Sequence, residues 1–309
     1  MPELPEVETV RSGLQQYLID AQVTGVEIHD ERSLKRHLAG PSDFVTTLLG
    51  ARIEGIVRRG KFLWMPLELR SPSQTKLALV GHLGMSGQML VRDFGAEPDK
   101  LNRITIHLDG NAGERLEFRF VDQRLFGSLQ LDEMVATVDG QVGGFDGQFG
   151  NQEWSTLIAK SAAHIARDPL DENFDRAAVI ARMRKKNSGI KRVLLDQGVL
   201  SGIGNIYADE ALWSAKLHYD QPAASISVKK LDELLEEVTR ILRAAVAVGG
   251  TSFDEQYKNV NGESGYFEVS LNAYGQTGKP CARCGTEIKR DSWMNRGSHF
   301  CPKCQKLAR

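Results

Sequence analysis

The sequence predicts an α+β protein built in succession: an opening helix, a β-rich half, a helical half and a short metal-bound hairpin. Three observations carry this. Between residues 22 and 121, short β-branched segments alternate with Gly, Pro, Asn and Asp, the pattern of a sandwich or barrel. After about residue 170 the apolar spacing becomes helical. All four cysteines fall within the last 29 residues, as two C-x2-C pairs.

The opening MPELPEVETV starts a helix. Pro2 and Pro5 suit a first turn, where a missing N–H costs little. Glu3, Glu6 and Glu8 suit its positive end, and Leu4, Val7, Val10 and Leu14 recur as a buried stripe. Strands follow at 22–29, 51–59, 61–68, 76–83, 103–108 and 115–121. The stretch 139–155 holds five glycines and no periodicity, so it reads as a linker or surface loop. Segment 171–186 is helical with Asp175 as a cap, and 229–248 places Leu231, Leu234, Leu235, Val238, Ile241 and Leu242 on one core-packing face. Segment 249–267 reads as a long loop. The expected division is 1–138, a β domain; 139–170, a linker; 171–270, a helical domain; and 271–309, the hairpin.

At 309 residues the chain has room for two domains. Hydrophobic residues at 41% and charged residues at 26% mark a soluble, globular chain. No segment approaches the roughly 20 apolar residues of a membrane span, and the acidic N-terminus is unlike a signal peptide, so the expected compartment is the cytosol. The net charge of −1 does not advertise a nucleic-acid partner, but charge is unevenly spread. RMRKKNSGIKR (182–192) holds six Lys/Arg and no acid, and 279–309 holds eight against two acids. A charge run is ordinarily a solvated face; two in one half of the chain make a basic patch.

The strongest local signal is Cys281-x2-Cys284, sixteen residues, then Cys301-x2-Cys304. Two such knuckles supply four soft ligands at tetrahedral corners, so one Zn2+ is expected, structural because no coordination position stays open. Between them IKRDSWMNRGSHF can form a hairpin presenting Arg296. In LLDQGVLSGIGNIYADEALW (194–213) an apolar helix end meets Gly202 and Gly204, and Asn205 is placed to cap a following helix. That helix start would attract a phosphate; an ordinary αα-turn explains the same residues equally well. GHLGMSGQM puts Met85 between glycines, and DQRLFG puts Arg124 and Phe126 on one side of an extended segment. Such residues usually sit in cores; beside glycine turns they also suit an apolar wedge for a base stack.

Taken in order, PELPEVE, the RGK around Lys61, HLGMSG, DQRLFG, LLDQ…SGIGNIYADEALW, GGTSF…GESGYF and C-x2-C…NRGSHFCPKCQ resemble the formamidopyrimidine-DNA glycosylases along nearly the whole chain. Only the acidic, glycine-rich stretch near 132–163 departs. The resemblance implies an N-terminal β-sandwich, a helix-two-turns-helix domain and a zinc-finger hairpin. It also implies a monomeric bacterial base-excision-repair enzyme, cytoplasmic and nucleoid-associated. Its partner is duplex DNA with oxidised purines (8-oxoguanine opposite C, formamidopyrimidines) or abasic sites, and the strand is then cut by β,δ-elimination.

By this resemblance Pro2, freed by removal of Met1, is the nucleophile. An α-amino group titrates at about 7.7–8.0, so a useful fraction is neutral at pH 7, and a secondary amine gives a cationic iminium at once. Glu3 is the proton donor to the sugar ring, Glu6 holds the amine or relays a proton, Lys61 serves β-elimination and Arg296 δ-elimination. Met85, Arg124 and Phe126 fill the space of the flipped base. His82, Lys186, Lys191 and Asn205 hold the backbone, and the loop around 251–267 covers the base. In KLNR (100–103) Leu101 stands where the family has histidine, and Arg103 takes that phosphate contact. Two other readings use the same scaffold: the endonuclease VIII relative acting on oxidised pyrimidines, and a non-catalytic zinc-dependent DNA binder. Pro2-Glu3, Lys61 and the Met85/Arg124/Phe126 set have no purpose in a mere binder.

Overall fold

A computed structural model describes residues 2–70, 75–147, 152–250 and 271–308. The chain divides into two compact units. The first holds Pro2 and residues 6–164, the second residues 3–5, 165–250 and 271–308, among those described.

In the first unit α1 (Leu4–Leu18) buries Val7, Val10, Leu14 and Leu18, the stripe expected from their spacing. Two antiparallel layers follow. One runs β6 (Gly87–Asp93), β8 (Arg115–Asp122), β7 (Asn102–Asp109), β1 (Gln22–Ile28). The other runs β4 (Phe62–Glu68), β5 (Leu77–His82), β9 (Ser128–Ala136), β10 (Leu157–Ala159), with β3 (Val57–Arg59) on the far side of β4. Among the described residues only the two-residue β2 (Arg52–Ile53) joins them, pairing with both β1 and β4. Ile104, Ile106, Phe118 and Phe120 from one layer share a core with Leu63, Met65, Leu79 and Leu129 from the other, as sandwich packing requires.

The second layer is also covered on its outer face. Trp64, Ala78, Val80 and Met134 pack there with Trp154, Ile158 and Ala162, which is why KFLWMPLE and KLALV read as apolar runs rather than alternations. Residues 152–164 therefore lie within the first unit, with β10 paired to β9, where the sequence suggests a linker. A short helix unforeseen from the sequence, α2 (Pro41–Leu48), starts with proline and buries Phe44 and Leu48, four apart.

The second unit packs α3 (Arg176–Arg184), α4 (Ile190–Leu194), α5 (Asn205–Ser214) and α6 (Val228–Ala247) around Met183, Leu194, Leu200, Tyr207, Leu212, Leu234, Leu235 and Leu242. Asp175 caps α3 through Ala178 N, and Ser227 caps α6 through Lys230 N. Two tight turns at 195–204 join α4 to α5. At the C-terminus β11 (Lys289–Trp293) and β12 (Arg296–Phe300) form a hairpin. Met294 and Asn295 make its turn with φ of 45° and 59°, the left-handed pair that matches strand twist. Among the described residues no helix is long and apolar enough to cross a membrane.

Candidate functional site

In the first unit Pro2 and Glu6 are buried and Lys61 is half-buried at the β3–β4 turn. Glu8 is more than a helix-dipole acid: it is buried, taking Arg58 Nε at 2.8 Å and Arg11 Nε at 2.9 Å. His82 Nδ1 accepts Gly84 N–H at 3.1 Å, which puts the proton of the neutral ring on Nε2. Burial, helped by the nearby charges of Arg36, Lys35 and Lys61, pushes its pKa down to about 4. At neutral pH this ring offers a phosphate a neutral donor, not a charge.

Met85, Arg124 and Phe126 are exposed, and the Arg124 guanidinium lies 5.3 Å from the Phe126 ring centre. The turns that carry them meet at Asp122, which the sequence reading passed over. Its carboxylate is fully buried and accepts from Ser86 Oγ at 2.6 Å, Arg124 N at 3.1 Å and Gly127 N at 2.7 Å. Arg103 is less available than expected: Nε donates to Asp122 O at 2.8 Å and Nη1 to Asp30 at 3.2 Å. A phosphate would compete with both.

In the second unit Glu3, 2% exposed, is the N-terminal anchor of α5. Its oxygens accept Gly204 N at 2.6 Å, Ile206 N at 2.8 Å and Tyr207 N at 3.4 Å. Glycine at 204 makes room for this carboxylate: a Cβ there would lie 2.4 Å from the Glu3 carboxyl carbon. The helix start expected to attract a phosphate thus holds the chain's own carboxylate. Asn205 is the first residue of α5 and not its cap; its amide donates to Gly297 O at 3.1 Å.

Lys191 also differs from expectation. A surface phosphate contact must be accessible, and Lys191 is fully buried. Its ammonium lies 2.6 Å from Asp209 Oδ1 and donates to Ser298 Oγ at 2.8 Å and Gly297 O at 3.1 Å. Burial lowers its pKa, against the pull of Asp209. Asp209 in turn accepts His299 N at 2.9 Å and pairs with His299 Nδ1 at 3.0 Å. The sequence carried one hint of this: Asp209 follows Asn205 by four and shares its helix face. Lys186 is exposed, 3.3 Å from Asp196, and Arg296 projects from the hairpin turn. Lys186, Arg192, Arg296, Trp293 and Met294 line an open cavity of about 620 Å³. The loop at 251–267 lies outside the described residues.

Cys281, Cys284, Cys301 and Cys304 bring their sulfurs within 4.8 Å of one another, and Cys284 Sγ is 3.5 Å from both Cys301 and Cys304. Zn–S bonds of about 2.3 Å imply tetrahedral edges of about 3.8 Å, so the donor set fits one Zn2+. Trp213 Nε1 donates to Cys281 Sγ at 3.4 Å, the kind of outer bond that tunes a thiolate ligand. The chain carries one structural zinc.

Family models match three successive stretches of the chain. Residues 1–129 match the formamidopyrimidine-DNA glycosylase N-terminal domain, 165–256 the formamidopyrimidine-DNA glycosylase H2TH domain, and 278–307 the zinc finger found in FPG and IleRS. A formamidopyrimidine-DNA glycosylase of Leifsonia xyli is 52% identical over 307 residues, covering 99% of this chain and 100% of its own. The structure is similar to Lactococcus lactis Fpg in complex with abasic-site DNA, at TM-score 0.78 and 29% identity over 98% of this chain and 99% of that one. The same protein with N7-benzyl-Fapy-dG DNA gives TM-score 0.78 and 29% identity over 99% and 100%.

Proposed function

This chain belongs to the formamidopyrimidine-DNA glycosylase family, and on that footing we propose which of its residues do the work. It is a bifunctional DNA glycosylase and abasic-site lyase of base-excision repair. It removes oxidised purines from duplex DNA and cuts the strand, in the cytoplasm at the bacterial nucleoid.

The Pro2 amine forms a bond to the sugar C1′ and the damaged base leaves with a proton. Glu3 protonates the ring oxygen as the C1′–O4′ bond opens, and the nitrogen lone pair completes a cationic iminium. That cation acidifies C2′. The C2′ proton passes to water, a C2′=C3′ double bond forms and the C3′–O bond breaks, with Lys61 donating a proton to the departing 3′ phosphate. A second elimination expels the 5′ phosphate, with Arg296 neutralising it. Glu6 holds the amine. Since Glu3 accepts three backbone N–H bonds at rest, it must take up a proton before it can give one. His82, Lys186 and Asn205 hold phosphates, and Arg103 joins them by exchanging Asp30 for DNA. Lys191 acts at one remove, fixing Asp209 and the hairpin strand.

The observation that most supports this reading is the trio Met85, Arg124 and Phe126. Two large apolar side chains and a guanidinium stand exposed on adjoining turns, an arrangement that calls for a partner to cover it. Filling the gap left by a flipped base does so, with Arg124 reading the orphaned cytosine.

The test is borohydride trapping on a duplex with 8-oxoguanine opposite cytosine, followed by intact-mass and peptide mapping. The expected result is a reduced adduct on Pro2 in protein lacking Met1. Such protein giving no adduct, or an adduct on a lysine, overturns the Pro2 assignment. Reaction with thymine glycol DNA alone moves the substrate to oxidised pyrimidines.

A further inference from the structure

We propose that Asp122 and Ser86 are positioning residues that clamp the two exposed turns into one wedge and thereby set which base is accepted opposite the lesion. The inference rests on the gap-filling reading of Met85, Arg124 and Phe126.

Neither Asp122 nor Ser86 reaches the surface: Asp122 is fully buried and Ser86 is 5% exposed. Ser86 directly follows Met85, and Asp122 precedes Arg124 by two. The Asp122 carboxylate binds across the turns to the Ser86 hydroxyl, and within its own loop to Arg124 N and Gly127 N. Ser86 Oγ closes the circuit by accepting Arg124 N at 3.2 Å. The Arg124 amide is therefore held by both groups at once, which fixes where its side chain begins.

The fit between the turns allows no slack. Gly84 has φ of 61°, and a Cβ there would lie 2.5 Å from both Gly127 N and Phe126 C. Leu125, between the two wedge residues, holds φ of 55°, a left-handed conformation that a branched side chain keeps only when its surroundings impose it. Its carbonyl is held by Lys35 Nζ, and Arg103 Nε holds the Asp122 carbonyl. These bonds aim Arg124 and Phe126 outward and stack the guanidinium on the ring. A hydrogen-bonding residue discriminates bases only if it is aimed in advance.

The experiment compares single-turnover excision of 8-oxoguanine opposite C and opposite A with borohydride trapping on a single-stranded abasic oligonucleotide. That last substrate has no orphaned base to read. Ser86→Ala and Asp122→Asn are each expected to lower the C-over-A preference about tenfold, the lower end for a hydrogen bond to a charged group. Both are expected to trap the single strand at the wild-type rate, and Ser86→Thr, which keeps the hydroxyl, to restore the preference. If Asp122→Asn does not fold, Ser86→Ala decides alone. Arg124→Ala is the control for the underlying reading: if it leaves the preference unchanged, the gap-filling reading fails and takes the clamp with it. If Arg124→Ala lowers the preference and Ser86→Ala does not, the clamp alone is overturned. Equal losses on duplex and single strand overturn it too, since they mark a general loss of structure.

Discussion

Glu3 is asked to do two things, and Glu3→Gln separates them. In the resting structure its Oε2 takes Gly204 N and Tyr207 N, and Oε1 takes Ile206 N. Glutamine has the same length but one acceptor oxygen. If that oxygen serves Gly204 and Tyr207, the amide NH2 faces Ile206 N–H, and a buried donor is left without a partner. That costs about 1–3 kcal/mol, and losing the negative charge at the α5 N-terminus costs about 0.5–1 kcal/mol more. The sum is about 1.5–4 kcal/mol, a fall of about 3–16 °C in Tm at about 2–4 °C per kcal/mol for a domain of this size. The catalytic effect depends on substrate. Excision needs an acid at the ring oxygen, and general acids are worth about 10²–10⁴-fold. A preformed abasic sugar already equilibrates with its open aldehyde, so its cleavage needs that acid far less. Melting curves, single-turnover excision of 8-oxoguanine and nicking of an abasic duplex, all on one Glu3→Gln preparation, give three independent readings. The expected pattern is a lower Tm, excision down at least a hundredfold and nicking within about tenfold of wild type. An unchanged Tm refutes the anchoring of α5. Excision and nicking falling in equal proportion refute the ring-opening role, because the carboxyl would then serve both steps alike.

Other consequences follow from the same geometry. Cys301→Ser removes one of four clustered thiolates, so zinc by atomic absorption and DNA binding by mobility shift should both be lost; a variant that keeps its zinc refutes the ligand assignment, and a metal-free variant that binds like wild type refutes the part of the zinc hairpin in DNA binding. His82 has a folded pKa of about 4 against 6.5 when unfolded, so the folded state binds fewer protons between those values. Stability should fall as pH drops from about 6.5 to about 4. The loss of urea midpoint between pH 7 and pH 4.5 should therefore be smaller in His82→Gln, and an identical loss would rule His82 out. Lys191→Met strands the buried Asp209 carboxylate and should destabilise the second unit by about 3–5 kcal/mol. Trp293, whose ring lies 4.9 Å from Lys191 Nζ, offers a fluorescence probe, and a loss under about 1 kcal/mol would contradict the pairing.

Features set by neighbours along the chain were legible in the sequence. The α1 stripe, the cap at Asp175, the zinc knuckles and the hairpin each follow from spacings of a few residues. The capping role offered to Asn205 failed for a local reason with a distant cause. Asn205 sits one position inside the helix because Glu3, 201 residues away from Gly204, already fills the cap. The linker reading of 139–170 departs from the structure over 152–164, for a different reason. Glycine density was visible, but Trp154 and Ile158 find their pocket on the outer face of β4, β5 and β9. Two-sided burial of a strand cannot be told from a plain apolar run without knowing what covers it. Lys191 lies in a basic run that looks solvated, and only the fold brings Asp209 and the hairpin strand over it.

Three buried carboxylates share a chemistry. Glu3 holds the N–H groups that open α5, Asp122 holds those of the Arg124–Gly127 turn, and Glu210 holds Asn272 N, Ala273 N and Tyr274 N at 2.8–2.9 Å. In each case one buried carboxylate replaces the hydrogen bonds that a loop or helix end cannot make for itself. For Glu210 burial raises the pKa despite those three bonds, because desolvation opposes the arrangement. A chain accepts that cost where a loop must hold one shape with its side chains turned outward, since an apolar core cannot grip a segment whose apolar residues face solvent. Met85 and Phe126 face outward in this way. Asp122 is thus the counterpart of the exposed turns: the more a turn directs its side chains to solvent, the more its backbone must be held by groups behind it.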